Sequence, residues 1–134
     1  MNPFRLTVVT PDGPKFEGQV EELVVRTTTG DIGIMAGHIN LVAALGMGRA
    51  TVIQDGKKRY GACIGGMVSV MNGEVKLVPT TFEWAEDIDT ARAEASMQRA
   101  KQTLNDKASS DTDIRLAEAR LRRALVRKGV ASMK

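Results

Sequence analysis

Hydrophobic residues follow two different patterns along this chain, and the change falls near residue 85. Before it, short apolar or β-branched stretches are separated by glycine-containing turns, which is typical of strands and hairpins. After it, apolar residues recur at spacings of three and four, which is the period of an amphipathic helix. The pattern predicts two unlike modules, a β module at residues 1–85 and a helical module at residues 86–134.

The β module contains two strong hairpin signals. Asp55-Gly56 and Asn72-Gly73 each separate two apolar stretches, and both dipeptides allow the positive φ angles of a tight hairpin turn. Many short strands with frequent glycine indicate a β-sandwich or a barrel. The predicted strands span residues 4–10, 20–28, 48–54, 58–64, 66–71 and 74–79, with short apolar pieces at 32–35 and 41–45.

The helical module predicts two helices. The first is expected from about residue 89 to 105, with Asp87 or Asp89 as its N-terminal cap. The second is expected to end near residue 128, because Gly129 is a natural C-terminal cap.

The connector at residues 107–112 is short, so the two helices should form an antiparallel hairpin. Ser110 with Asp113 three residues later resembles a capping arrangement for the second helix. The apolar faces are weak because alanine buries little area, and we expect the hairpin to open at modest cost. The predicted faces are Ala93, Met97, Ala100 and Leu104 in the first helix, and Ile114, Ala117, Leu121, Ala124 and Leu125 in the second.

Composition and charge support the same division. Of the 13 glycines 12 lie before residue 85, together with all four prolines and all five aromatic residues. Residues 1–86 carry eight basic against nine acidic side chains, whereas residues 87–134 carry 11 against seven. The basic surplus of the helical module indicates an acidic partner. The chain shows no signal-peptide pattern and no apolar run of the length that spans a bilayer, so no direct membrane insertion is expected.

Catalytic and metal-binding constellations are not indicated. His38 is the only histidine and Cys63 the only cysteine, so a nucleophile–histidine dyad or a zinc site has too few partners. Cys63 is interpreted as a small core residue and His38 as a hydrogen-bonding loop residue. We therefore predict neither an enzyme acting alone nor a metal site.

The start of the first helix is the strongest candidate for ligand binding. Asp89, Arg92, Ser96 and Arg99 fall on one helical face, and pairing of the helices could bring Arg122 to the same edge. Guanidinium groups suit phosphate oxygens, and a nearby carboxylate can accept a hydrogen bond from a ribose hydroxyl or an adenine amine. The alternative is a surface pair of Asp89 with Arg92 beside ordinary solvated arginines.

A second basic row on the second helix consists of Arg120, Arg123 and Arg127, and it is predicted to lie away from the apolar face. It is either a solvated face or a basic stripe for an acidic protein surface. A nucleic-acid-binding tail is a further hypothesis, but the helical module has no aromatic residue to stack on bases.

Over essentially its whole length the chain resembles the epsilon subunit of bacterial F-type ATP synthases. Ala36 and Asn40 stand where that family's signature segment usually has proline. Three segments carry the resemblance: residues 6–13 (LTVVTPDG), residues 30–42 (GDIGIMAGHINLV) and residues 88–93 (IDTARA).

The resemblance implies a fold class of β + α, with a β-sandwich of about ten short strands followed by the two-helix hairpin. It implies a non-catalytic central-stalk subunit that couples the rotor to the catalytic head. The sandwich would bind the stalk's gamma subunit and the membrane ring of proton-carrying subunits, at the cytoplasmic face of the bacterial cell membrane as a peripheral protein. The hairpin would be a regulatory arm, held on the sandwich by ATP. When extended, its basic second helix would meet the catalytic beta subunit and inhibit ATP hydrolysis.

The same resemblance implies site residues by position. No cofactor is required, ATP is a regulatory ligand, and no nucleic acid is expected. An alternative is a constitutive coupling and inhibitory subunit whose ATP motif is vestigial. The family often has a further arginine at the position of Val126. The implied residues are Glu83, Ile88, Asp89, Arg92, Ala93, Arg99 and Arg122 for ATP, the stripe Arg120, Arg123 and Arg127 for the beta subunit, and Gly33, Gly37 and His38 in the loop signature.

Overall fold

The structure is a computed structural model, and it describes residues 2–133. All ten strands lie within residues 4–84, and residues 85–133 are mainly helical. The strands are β1 Phe4–Thr10, β2 Gly13–Val20, β3 Glu22–Thr27, β4 Gly30–Ile34, β5 Leu41–Ala44, β6 Met47–Gln54, β7 Lys57–Ile64, β8 Met67–Met71, β9 Glu74–Val78 and β10 Thr81–Trp84.

The strands form two five-stranded sheets that pack face to face. One sheet has the order β2-β1-β9-β8-β5, and the other has the order β10-β7-β6-β3-β4. Neighbouring strands are antiparallel except for β1 and β9, which pair in parallel. The prediction of a β-sandwich of about ten strands is confirmed.

Both predicted hairpin turns are present. Asp55 and Gly56 have φ angles of 52° and 74°, and Asn72 and Gly73 have 51° and 85°. Two successive positive φ angles define the type I′ turn, whose twist matches that of the flanking strands. These turns fix the β6–β7 and β8–β9 pairings.

Two strands, β2 and β10, were missing from the sequence prediction. β2 begins at Gly13, and the strand predicted from residue 20 begins only at Glu22. Both missed strands lie at sheet edges, where one side of the backbone has no partner strand. β10 pairs with β7, which is distant in sequence, and no local pattern encodes that pairing. β2 forms a hairpin with β1, but its segment carries few large apolar residues and so shows no strand pattern.

The core lies between the two sheets. Alternate residues of each strand point inward, as in β1, where Phe4, Leu6 and Val8 are buried and the residues between them are more exposed. Cys63 belongs to this core, as predicted, and burial raises the pKa of its thiol to about 12. The aromatic end of the core is Phe82 and Trp84, whose rings meet edge to face with centroids 4.9 Å apart.

After a short 3₁₀ helix at Ala85–Asp87, the chain forms α1 (Thr90–Asn105) and α2 (Asp111–Ala131), which pack together as the predicted hairpin. Ser110 accepts a hydrogen bond from the amide of Asp113, and the Asp113 carboxylate accepts one from the amide of Ser110. This reciprocal capping box confirms the predicted start of α2.

The predicted end of α2 was wrong. The helix runs through Gly129 to Ala131, because Val130 and Ala131 are buried against Ala62 of β7 and against Ala85 and Ile88. Burial of these side chains offsets the roughly 1 kcal/mol that glycine costs inside a helix.

Candidate functional site

A cleft of about 490 Å³ lies where the hairpin meets the sandwich. This volume is within the range that small-molecule sites occupy, about 300–1,000 Å³. The turn before β2, strand β10, the beginning of α1 and one face of α2 form its walls. The described residues that line it are Asp12, Lys15, Thr81, Phe82, Glu83, Ile88, Asp89, Arg92, Ala93, Ser96, Arg99, Arg120, Arg123 and Arg127.

The cleft is strongly basic. Six of its lining side chains are cationic, namely Lys15, Arg92, Arg99, Arg120, Arg123 and Arg127, and three are acidic, namely Asp12, Glu83 and Asp89. Like charges that converge on one concave surface raise the local concentration of counter-ions. The arrangement therefore suits a ligand with several negative charges, such as a polyphosphate.

The first turn of α1 forms one wall of the cleft and determines where its side chains lie. Asp89 is the N-terminal cap, and its Oδ1 accepts a hydrogen bond from the backbone amide of Arg92 at 3.0 Å. Among the described ion pairs there is none between the Asp89 carboxylate and the Arg92 guanidinium, so the surface pair considered from the sequence is not formed. The guanidinium of Arg92 is exposed and faces the cleft, with Ser96 and Arg99 following on the same face.

The prediction that α2 contributes Arg122 to the site was wrong, because other arginines of α2 line the cleft. Arg120, Arg123 and Arg127 line the cleft, whereas Arg122 is exposed and is absent from the described lining. The reason is the rotation of α2. Leu125, predicted to be buried, is 50% exposed, and Val130 is buried instead. Helical spacing puts Val130 on the side of Arg123 and Arg127, so the buried face is turned toward these two arginines and away from Arg122.

One ion pair joins the two modules across the cleft. Nε of Arg127 donates a hydrogen bond to Oε1 of Glu83 in β10 at 2.8 Å. The Arg127 side chain is 25% exposed and that of Glu83 is 39% exposed, so water screens the pair only in part. Glu83 thus holds α2 against the sheet edge and keeps Arg127 at the cleft wall.

Further contacts hold the hairpin closed and in place. Nζ of Lys128 lies 2.6 Å from Oε2 of Glu94 on α1, and this hydrogen bond lowers the pKa of the Glu94 carboxyl, with a smaller contribution from Gln98. In the 3₁₀ helix before α1, Oε1 of Glu86 lies 2.8 Å from Nη2 of Arg59 in β7, and this hydrogen bond lowers the pKa of the Glu86 carboxyl. The apolar contact of Val130 and Ala131 with the sheet completes this attachment.

The loop-signature residues lie apart from the cleft lining. Gly33 is in β4, and Gly37 adopts a φ of 82° in the loop before β5, a conformation that favours glycine. Nδ1 of His38 donates a hydrogen bond to the carbonyl of Ile39 at 2.7 Å, in agreement with a structural loop role. The side-chain carbonyl of Asn40 accepts a hydrogen bond from the amide of Asn72, which ties this loop to the β8–β9 turn.

Four lining residues were missed by sequence reasoning: Asp12, Lys15, Thr81 and Phe82. All four lie in or beside β2 and β10, the two edge strands that the apolar pattern did not reveal. Their proximity to the hairpin depends on the sandwich topology. The Pro-Asp-Gly-Pro turn was the one local signal near them.

Among residues 2–133, no helix is both long enough and apolar enough to cross a membrane.

Comparison with known proteins identifies the family. The chain matches the family model described as the ATP synthase delta/epsilon chain beta-sandwich domain at residues 3–85, and the long alpha-helix domain of the same chain at residues 86–131. The ATP synthase epsilon chain of Bacillus velezensis is 42% identical over 131 residues, with 98% of each chain covered. That of Caldanaerobacter subterraneus is 41% identical, with 96% of this chain and 94% of the relative covered.

Solved structures share the fold. A chain of the Euglena gracilis mitochondrial ATP synthase (OSCP/F1/c-ring) superposes with a TM-score of 0.83 at 22% identity, covering all of this chain and 83% of that one. A chain of the Tetrahymena thermophila mitochondrial ATP synthase (central stalk/c-ring) gives 0.62 at 13% identity, with 95% of each covered. The family matches and the full-length relatives show that the chain belongs to the ATP synthase delta/epsilon chain family, and within it to the epsilon chains, which are non-catalytic subunits of the central stalk of that complex.

Proposed function

We propose that this epsilon chain senses ATP through the cleft between its two modules and inhibits ATP hydrolysis when the cleft is empty and the hairpin is released. The basic cleft carries this proposal, because it is built jointly by the sandwich and by both helices. A ligand that contacts both modules binds more tightly to the closed arrangement, and it shifts the equilibrium toward that arrangement.

The lining residues divide into two chemical groups. Arg92, Arg99, Arg123 and Arg127 line the cleft, and we expect them to bind phosphate oxygens, since a guanidinium donates paired hydrogen bonds and stays charged. Asp89 uses one oxygen as the helix cap, so the other oxygen remains to accept from the ribose or the base.

The remaining implied residues act through apolar contact or by positioning an arginine. Ile88 and Ala93 offer apolar surface beside it, and Glu83 positions Arg127. The family resemblance assigned ATP binding on α2 to Arg122, with a further arginine at the position that Val126 occupies here. We propose that Arg123 and Arg127 bind the phosphates instead, because Arg122 is exposed outside the cleft.

The same row of arginines would serve both nucleotide binding and inhibition of hydrolysis. Arg120, Arg123 and Arg127 cannot contact a nucleotide in the cleft and an acidic surface of another subunit at the same time. We propose that the released hairpin presents this row to the catalytic beta subunit and blocks hydrolysis there. ATP would therefore relieve inhibition by occupying the same side chains.

The sandwich supplies the coupling surface. Val42, Met67, Met71 and Val78 lie on neighbouring strands β5, β8 and β9, and each is about half exposed. A contiguous exposed apolar patch marks an interaction surface. We propose that this sheet face binds the gamma subunit, and that the loop with exposed Met35 and Ile39 contacts the ring of proton-carrying subunits at the cytoplasmic face of the membrane.

Thermal unfolding with and without ATP tests the sensor. A ligand that binds only the folded form at 100 times its dissociation constant adds about 2.7 kcal/mol, which gives a clear rise in the melting temperature. Asp89→Ala combined with Arg92→Ala should abolish the rise. No rise for the wild-type chain at millimolar ATP would leave the constitutive alternative with a vestigial motif.

Inhibition is tested in the assembled ATP synthase. Truncation after Glu86 removes the hairpin and should raise the rate of ATP hydrolysis. An unchanged rate would reject the inhibitory role, whether or not ATP binds the isolated chain.

A further inference from the structure

The sandwich side of the cleft contains one cation among its described residues. Asp12, Lys15, Thr81, Phe82 and Glu83 form this wall, and the other five cations of the cleft come from the two helices. Without Lys15 the wall would carry only the carboxylates Asp12 and Glu83, which repel phosphate. Lys15 therefore decides whether an anionic ligand is attracted to the sandwich or only to the hairpin.

The position of Lys15 is fixed by packing at the seam between the two sheets. β2 is an edge strand of one sheet and β10 an edge strand of the other. The ring of Phe16 meets that of Trp84 edge to face at 5.9 Å, and the indole N–H of Trp84 donates to the carbonyl of Lys15 at 3.4 Å. Adjacent residues of a strand point to opposite sides, so Lys15 and Glu83 face the cleft while Phe16 and Trp84 face the core.

From this arrangement we propose that Lys15 is a ligand-binding residue that contacts the phosphates of the bound nucleotide and ties them to the sandwich. This inference rests on the proposed ATP site. The ligand then bridges cations on both sides of the cleft, the arginines of the hairpin and the lysine of β2. Such bridging makes the sandwich part of the recognition of phosphate charge.

Calorimetric titration of the full chain with ATP and with AMP tests the proposal. Lys15→Ala should weaken ATP binding by roughly tenfold, the order of one charge-assisted hydrogen bond, and should weaken AMP binding less because AMP has less charge. Lys15→Arg should restore most of the affinity. Lys57→Ala is the matched control, an exposed lysine at a strand start outside the cleft lining, and it should bind ATP like the wild type.

The outcomes separate this inference from the function on which it rests. If the wild-type chain binds no ATP, both fail. If the wild type binds ATP and Lys15→Ala binds it equally well, or loses ATP and AMP affinity by the same factor, the role of Lys15 is wrong and the ATP site stands.

Discussion

Arg127 of α2 donates a hydrogen bond from Nε to Oε1 of Glu83 in β10 at 2.8 Å, and so joins the helical hairpin to an edge strand of the sandwich. The two residues are 44 positions apart in sequence and belong to different modules. Both also line the basic cleft, so docking of the hairpin and formation of the cleft depend on the same contact. Release of α2 from the sheet edge would therefore also take the cleft apart.

Arg127→Ala should loosen the hairpin. Because the pair is partly exposed, we expect a loss of about 1 kcal/mol in the free energy that holds α2 on the sandwich. Amide hydrogen exchange in the last turns of α2 measures this loss. Arg122→Ala is the matched control on the exposed face and should change exchange by less than about 0.5 kcal/mol. Equal effects of the two variants would contradict a docking role for Arg127.

Two glycine-to-alanine substitutions should act in opposite directions. A Cβ at Gly129 meets no atom within 4 Å, and alanine favours the helix interior, so Gly129→Ala should stabilise α2 by about 0.5–1 kcal/mol. A Cβ at Gly61 would clash with the ring of Phe82, so Gly61→Ala should destabilise the sandwich by about 1–3 kcal/mol. Urea unfolding measures both changes, and stabilisation by Gly61→Ala would contradict the close packing of Phe82 on Gly61.

Hairpin packing should weaken in acid. The hydrogen bond from Lys128 lowers the pKa of Glu94 below its usual 4.5, so the pair stabilises the folded state above that pH. This stabilisation is lost as pH falls through the lowered pKa in the folded chain. Helix unfolding followed by circular dichroism between pH 6 and pH 3 should show the loss. Glu94→Gln should make the free energy of unfolding depend less on pH. The dependence that remains should include that of Glu86, whose pKa is lowered by Arg59.

Cys63 should report unfolding of the sandwich. Its thiol is buried in the core and has a pKa of about 12, so almost no thiolate exists near neutral pH. A thiol reagent at pH 8 should react only when the sandwich opens, and the rate should rise steeply in urea. Fast labelling of the native chain would contradict this burial.

Local chemistry predicted much of the fold. Asp55-Gly56 and Asn72-Gly73 determine their turns through backbone conformation, and Ser110 with Asp113 determines a helix start through two hydrogen bonds, so each could be read from neighbouring residues. The parallel pairing of β1 with β9 and the pairing of β10 with β7 join residues that are distant in sequence, so the apolar pattern could not supply them. β2 follows β1 directly, but it carries few large apolar residues and so shows no strand pattern.

The candidate site was predicted in part for the same reason. Asp89, Arg92 and Arg99 lie on one helix, and their shared face follows from helical spacing alone. The contribution of α2 depends on its rotation, which is set by packing of Val130 and Ala131 on the sheet. The predicted apolar face of α2 included Leu125, and for this reason the prediction put Arg122 at the site instead of Arg123 and Arg127.

Calorimetric titration of ATP into three matched chains, the wild type, Arg122→Ala and Arg123→Ala, tests the central claim most directly. The structure places Arg123 in the cleft and Arg122 on the exposed face one residue away. We expect Arg122→Ala to bind ATP as the wild type does and Arg123→Ala to bind it roughly tenfold or more weakly. Loss of binding in Arg122→Ala with normal binding in Arg123→Ala would contradict the proposed cleft.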